Sequence, residues 1–217
     1  TTYNAAGATT SRYSDSRVTP SLAVLFKPRE HITLYANYME SLEKGGTAPL
    51  TAGGAAVVNA GAILPPLLSK QAEVGAKAEV GALLLTGALF QIDKGLQYTD
   101  PPPRPATPVF VQDGRQVHTG LELSADGQLS EHLTLTASAS VLQARARDTG
   151  TPAYEGHQLV NVPKRRATVH VDYALPFVEG LAVGAGWRYA SANAATVDGK
   201  VKVPSYSVFD AGLRLQH

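Results

Sequence analysis

Apolar and polar residues alternate one by one along much of this chain, and this alternation limits its possible folds more than any other feature. The stretch QAEVGAKAEV at 71–80 places alanine and valine at even positions and mostly polar or charged residues at odd positions. The same period of two recurs over 117–127, 133–141, 167–173 and 181–189. Because successive side chains of a β-strand point to opposite faces, the pattern predicts strands with one apolar and one polar face.

Nine such strands are predicted, at 18–27, 32–40, 70–80, 83–94, 109–127, 132–145, 165–175, 181–190 and 205–215. Each is about the ~9–11 residues that a tilted strand needs to cross a bilayer, and several are longer. Two points stay open. Asp113-Gly114 also fits a hairpin turn that would split the fifth strand. The strand at 83–94 is apolar on both faces, so its outward face is undefined.

The connections between these strands alternate strictly in length. Short links at 28–31, 81–82, 128–131 and 176–180 are followed by long ones at 45–69, around 101–105, at 147–164 and at 191–204. All tight turns therefore fall at one end of the sheet and all long loops at the other. Transmembrane barrels have this asymmetry, with periplasmic turns and extracellular loops, whereas soluble sandwiches mix their crossovers. The fold class predicted is all-β, an antiparallel up-and-down transmembrane β-barrel wall.

Composition excludes several other classes. Of 217 residues 17% are charged, below the ~25% usual for soluble domains, and the net charge of +1 gives no basic face for nucleic acid. There is no cysteine for a disulfide or thiolate site. The stretch 51–68 contains Asn59, several glycines and Pro65-Pro66, so it is not an apolar membrane helix. With no initial Met and no signal peptide, we expect a processed or truncated product.

No residue pattern indicates catalysis or a resident cofactor. The carboxylate pairs Glu73/Glu79 and Glu122/Asp126 fit a hydrated wall better than an acid/base pair. The six histidines lack metal-ligand spacing, no serine lies in a G-x-S-x-G elbow, and there is no cysteine nucleophile. We therefore expect no catalytic, cofactor or metal site, and no enzyme. Aromatic residues near strand ends fit a membrane-interface girdle, or else the core of a soluble sheet: Phe26, Tyr38, Tyr173, Phe177, Trp187, Tyr189 and Tyr206.

Several motifs, taken in order, resemble one family. RYSDSRVTPS at 12–21 followed by FKP at 26–28 resembles its strand ending v-y-K-P, and LYANYMESL at 34–42 resembles its l-Y-a-n-Y-s-e-g-l. SKQAEVGAK at 69–77 is similar to S-e-q-y-E-v-G-v-K, with Ala72 where an aromatic residue is usual. TGLEL at 119–123, VPK at 162–164 and VPSY at 203–206 with Phe209-Asp210 match later motifs. Together they resemble the TonB-dependent siderophore receptors over nearly the whole chain.

The resemblance implies an architecture. Family members have an N-terminal plug domain, a TonB-contacting box and a 22-stranded barrel. Residues 1–217 then form a partial barrel domain, from the C-terminal half of the barrel, with the plug and the closing strands absent. It implies a Gram-negative outer-membrane location and contact with outer-membrane lipid. Which face of the strands meets lipid rests on the resemblance alone.

The same resemblance implies a function: energy-dependent uptake of a ferric siderophore, with the TonB complex as a partner through the missing N-terminal region. The siderophore is the transported ligand, not a cofactor. Aromatic and basic side chains suit its oxygen-rich, often anionic surface, and those at the outer ends are candidate ligand contacts: Tyr98, Arg104, Arg145, Arg147 and Tyr154. The siderophore itself cannot be read from the loops.

A soluble or surface-exposed β-structured ligand-binding module without transport activity is the alternative. In that case the strand faces would pack against each other in a dry core. For the isolated chain under the barrel hypothesis, an open sheet of about nine strands would have two unpaired edges. Self-association through those edges is then expected.

Overall fold

The computed structural model describes residues 2–3, 9–11, 16–100, 107–196 and 199–216. Within these ranges the chain is all-β and antiparallel, as predicted, and one nine-stranded sheet dominates. Its strands, in chain order, are β1 (Ser21–Arg29), β2 (Ile32–Glu43), β3 (Leu67–Val80), β4 (Leu83–Asp100), β5 (Val109–Ser130), β6 (Leu133–Arg147), β7 (Arg165–Ala174), β8 (Leu181–Ala190) and β9 (Tyr206–Leu215).

Each strand pairs with its neighbours in sequence, so the sheet is an uninterrupted meander. The predicted alternation of connections is confirmed: the links after β1, β3, β5 and β7 are short, and the others are long. We call the two ends of the sheet the turn end and the loop end. At the turn end Gly81 has φ +61, a conformation that suits glycine in a two-residue link. Neighbouring turns are joined by backbone bonds, such as Gln128 N to Ala82 O at 3.1 Å.

Several strands are longer than the sequence pattern predicted: β2, β3, β4 and β6 extend towards the loop end, and β5 extends towards the turn end. β4 has 18 residues and β5 has 22, because their pairing continues from Leu83↔Gly127 to Asp100↔Val109. The alternative hairpin at Asp113-Gly114 is not formed. The register instead shifts between Gly95 and Gln97, so that Asp113 and Gly114 form a bulge in a continuous β5.

The two faces of the sheet differ as the alternation predicts. Glu73, Glu122 and Thr168 share one face, which we call the polar face, and Val74, Leu121 and Ala167 share the other, the apolar face. The ambiguous fourth strand is now resolved: Leu83, Leu85 and Leu89 lie on the apolar face, and Leu84, Ala88 and Phe90 on the polar face.

Large side chains of the apolar face are exposed. Leu89 is 57% exposed, Phe209 76% and Leu213 78%. No second layer of the described residues covers this face, so it is not half of a two-layer core. Buried residues are few and concentrate at the loop end, where Leu96, Tyr98 and Ala146 form a small cluster.

Most of the predicted girdle residues lie near strand ends. On the apolar face Phe26 and Tyr173 lie towards the turn end, while Tyr38, Trp187 and Tyr189 lie towards the loop end. The Trp187 and Tyr189 rings stack with centroids 6.1 Å apart. Phe177 lies in the turn after β7. Tyr206 differs, because it pairs with Ala190 on the polar face.

β1 and β9 are the outermost strands and are not paired with each other within the described part of the chain. The expected self-association through these edges stays a prediction. None of these described residues belongs to a helix that could span a bilayer.

Candidate functional site

A depression of ≈ 320 Å³ lies on the polar face near mid-height, across β2 to β7. Its floor is built from small side chains such as Ser124, Ser138 and Ser140. Three charged residues line it as well, Glu73, Glu122 and Arg166. Because the strands alternate strictly, small polar residues from several strands share this face and leave the depression open to water.

The polar face holds its charges through short local contacts. Gln71 Nε2 donates to Glu73 Oε2 at 3.1 Å, and Thr136 Oγ1 donates to Asp126 Oδ2 at 2.7 Å. His170 Nε2 lies 3.1 Å from Asp172 Oδ2. Each of these carboxylates therefore has a side-chain partner on the polar face, as expected for residues that line a hydrated wall. Among the described residues no group of three or more His, Asp or Glu could hold a metal ion.

Above this wall, the loop after β6 folds onto the polar face and packs on the ends of β4 and β6. Tyr98 of β4 is 8% exposed, and its hydroxyl donates to the Thr149 carbonyl oxygen at 2.7 Å. The Tyr154 ring packs against Tyr98 in a tilted arrangement, with centroids 4.3 Å apart, and its hydroxyl donates to Thr99 O at 3.1 Å. A cavity of ≈ 260 Å³, lined by Leu96, Tyr98, Tyr154 and Leu159 among others, lies beneath the loop.

The packing of the loop after β6 affects its ionisable side chains. Burial, reinforced by the nearby Asp100 carboxylate, raises the pKa of Tyr154. Glu155 lies in the same loop, and its Oε2 accepts from the Thr149 amide at 3.0 Å. The acidic side chain therefore serves the loop's own structure.

Four of the five candidate ligand contacts lie among the described residues, and the structure divides them into two groups. Tyr98 and Tyr154 come together on the polar face. Arg145 and Arg147 pair with Val117 and Arg115, which places them on the apolar-face side of β6. Arg145 Nη1 also donates to Gly156 O at 2.7 Å. Arg104 lies outside the described residues.

Two functional features were missed by the sequence interpretation. Arg166 lies in the depression without an ion-pair partner among the described residues, and only its even position in β7 could have indicated its face. Asn59 fastens the 44–66 loop: its amide donates to Phe110 O at 2.8 Å and accepts from Phe110 N at 3.0 Å. Nothing in the sequence predicts that long-range pair.

The long loops are joined sideways into a rim. Val58 N donates to Pro108 O at 2.9 Å, and Gly46 N donates to Gln97 Oε1 at 2.9 Å. Asn161 N donates to Ala194 O at 2.8 Å, which connects the loop after β6 to the one after β8. The loop end is therefore a built structure of linked loops.

A hairpin meander with one exposed apolar face, one hydrated face, tight turns at one end and structured loops at the other defines the wall of a transmembrane β-barrel. The family model for the TonB dependent receptor-like β-barrel matches residues 1–217. The chain therefore belongs to the TonB-dependent receptor family.

Similar proteins include receptors from several bacteria. The ferrichrome receptor FcuA of Yersinia enterocolitica is 32% identical over 91% of this chain and 26% of its own length. The ferrichrome outer membrane transporter/phage receptor of Escherichia coli is 28% identical over 97% of the chain and 27% of its own length. The crystal structure of BauA, the ferric preacinetobactin receptor of Acinetobacter baumannii, is 32% identical with a TM-score of 0.73, covering 90% of this chain and 29% of BauA. The chain thus spans about a quarter of the curated relatives it matches.

Proposed function

We propose that this chain is part of the barrel wall of an outer-membrane receptor that takes up a ferric siderophore with energy supplied through the TonB complex. The main support for this proposal is the asymmetry of the sheet: an exposed apolar face suits lipid, and a hydrated face suits a water-filled lumen. The linked loops at one end suit the capture of a ligand outside the cell. Relatives named for ferrichrome, ferrioxamine and preacinetobactin support iron chelates as the ligand class.

Ligand capture is assigned to the loop end. The chelate is cargo, and its recognition requires shape, aromatic surface and charge, with no catalytic group or resident cofactor. Arg104, Arg145, Arg147 and Tyr154 remain the candidate contacts near that end, whereas Tyr98 is buried there. The three arginines would complement anionic chelates, and Tyr154 would offer aromatic surface.

Growth on single siderophores tests the proposal. A strain of the source bacterium without the full-length gene is grown under iron limitation with ferrichrome, ferrioxamine B or ferric preacinetobactin as the sole iron source. Loss of growth on one of them, restored by the intact gene but not in a TonB-deficient background, is expected. Unchanged growth and unchanged radioactive iron uptake on every chelate would contradict the proposal.

The alternative of a ligand-binding module without transport has a distinct outcome. Such a protein would bind a chelate at the cell surface, yet iron uptake would be the same with and without TonB. Membrane fractionation adds a second readout, because a barrel wall stays in the outer membrane after alkaline carbonate washing.

A further inference from the structure

We propose that Tyr98 is a positioning residue: it holds the 148–164 loop as a preformed wall of the binding site, and the ligand meets the exposed loop residues around Pro152–Glu155. This inference rests on the proposed function. It reassigns Tyr98 from direct contact to support. With 8% of its surface exposed, Tyr98 offers almost nothing to a bulky chelate.

Tyr98 anchors the loop on the polar-face side. Its hydroxyl lies 2.7 Å from Thr149 O and 3.2 Å from Thr151 Oγ1, so one phenol spans the start of the loop. Thr149 is fully buried, and its hydroxyl lies 3.0 Å from Thr151 O and 3.2 Å from Glu155 Oε2. Thr149, Thr151 and Glu155 therefore share one hydrogen-bond network with Tyr98.

A second anchor acts from the apolar-face side. Arg115 of β5 pairs with Asp93 of β4, and its Nε donates to Asp148 Oδ2 at 2.8 Å. Asp148 has φ +53, an uncommon conformation for a non-glycine residue. The β5 bulge approaches it closely: a Cβ on Gly114 would lie 2.8 Å from Thr149 Cα and 2.9 Å from Asp148 O.

The remainder of the loop pairs with the free edge of β6. Ala146 N donates to His157 O at 3.1 Å, and Leu159 N donates to Ala144 O at 3.0 Å. The loop is therefore held from both faces and along one edge, while Pro152, Ala153 and Glu155 stay exposed. A loop ordered before binding loses less conformational freedom when the ligand arrives.

Removing the Tyr98 hydroxyl should lower the population of the ordered loop. In Tyr98→Phe the ring still packs against Tyr154, but the buried Thr149 carbonyl loses its donor. If the ordered fraction falls about tenfold, the apparent Kd rises about tenfold, because only the ordered form binds. If Tyr98 contacted the ligand directly, the substitution would lower affinity without changing the mobility of the loop in the unliganded receptor.

The test uses the full-length receptor with a spin label at Ala153→Cys. Loop mobility is read by electron paramagnetic resonance on the labelled protein without ligand, and ferrichrome affinity by calorimetry on the same variants without Ala153→Cys and the label. Tyr173→Phe, at the turn end, is the matched control, and Asp148→Asn, an exposed member of the second anchor, is the second variant. We expect a mobile label and about tenfold weaker binding in Tyr98→Phe, a smaller change in both in Asp148→Asn, and wild-type behaviour in the control.

Three outcomes overturn the inference. An immobile label with unchanged affinity denies any positioning role, and an immobile label with weakened binding makes Tyr98 a direct contact. A mobile label with unchanged affinity shows that the loop is not the ligand's wall. If Tyr98→Phe fails to fold, unchanged mobility in Asp148→Asn decides against the anchored loop. Absence of binding by the wild-type receptor to every ferric siderophore would instead defeat the proposed function, while the mobility result still reports on the loop.

Discussion

The Tyr35 ring lies directly over Gly75, its partner across β2 and β3 on the polar face. A Cβ on Gly75 would come within 2.6 Å of Tyr35 Cε1, so the glycine makes room for the ring. Phe90 covers Gly120 in the same way between β4 and β5, where a Cβ would lie 2.7 Å from Phe90 Cε1. Aromatic rings laid over glycines in neighbouring strands shield exposed backbone and fix the register of a curved sheet.

Gly75→Ala should therefore displace the Tyr35 ring and destabilise the full-length barrel by about 1 kcal/mol, at the low end of overpacking costs. The displaced ring would also change its position relative to Lys77, whose Nζ lies 5.8 Å from the ring centroid. Unfolding by denaturant in phospholipid vesicles measures the difference. In a Tyr35→Ala background the same substitution should cost clearly less, and equal costs in both backgrounds would show that the ring and the glycine are not coupled.

The two hydrogen bonds between Asn59 and Phe110, which we call the Asn59 clamp, predict a local effect of substitution on stability at the loop end. In Asn59→Ala, Phe110 N and Phe110 O both lose their partners, at a local cost of about 1–3 kcal/mol. Hydrogen exchange at the Phe110 amide should accelerate, while amides of β7 and β8 keep their protection. Asn37→Ala is the control, because Asn37 makes no side-chain hydrogen bond to the described residues. Similar exchange in both variants would mean that the clamp does not hold the 44–66 loop.

Alkaline pH should release the loop after β6. Burial and the Asp100 carboxylate raise the pKa of Tyr154 above its ordinary value of 10.0. The folded loop thus holds the phenol proton more tightly than the unfolded chain does. The contribution of the protonated Tyr154 to the stability of the docked loop is complete below the ordinary pKa, and it is lost as pH rises through the raised pKa. The late part of the phenolate absorbance titration should lose one tyrosine in Tyr154→Phe; a Tyr154 that titrates with the exposed tyrosines would contradict the docked loop.

Much of the sheet could be predicted from the chain because its signals are local. In β3 and β7 the alternation of side chains decides both the strand and its faces. The alternating length of the connections then decides the topology, since a two-residue link permits only an antiparallel hairpin. β4 was the exception, because Leu84 and Leu85 are both apolar and only pairing with β3 and β5 assigns their faces.

The loop end could not be predicted in the same way. The contacts of Tyr98 with Thr149 and of Asn59 with Phe110 each join residues 51 positions apart. Such pairs depend on where the long strands place their ends, and no periodicity encodes this. The side chains of the loop-end arginines could not be placed from the sequence either. The chemistry of Arg145 suits an anionic ligand, but the strand register places it on the apolar-face side of β6, where it donates to Gly156 O.

Adjacent residues of β7 provide a direct test of which face meets lipid. Val171 lies on the apolar face between Leu135 of β6 and Ala185 of β8, and His170 lies on the polar face beside Asp172. If Val171 sits near the bilayer midplane, Val171→Arg should destabilise the barrel by about 2–4 kcal/mol. His170→Arg should be nearly neutral, because the new cation remains hydrated and keeps an anionic neighbour. Both are compared by unfolding of the full-length protein in vesicles, and equal costs at the two positions would contradict a lipid-facing apolar face.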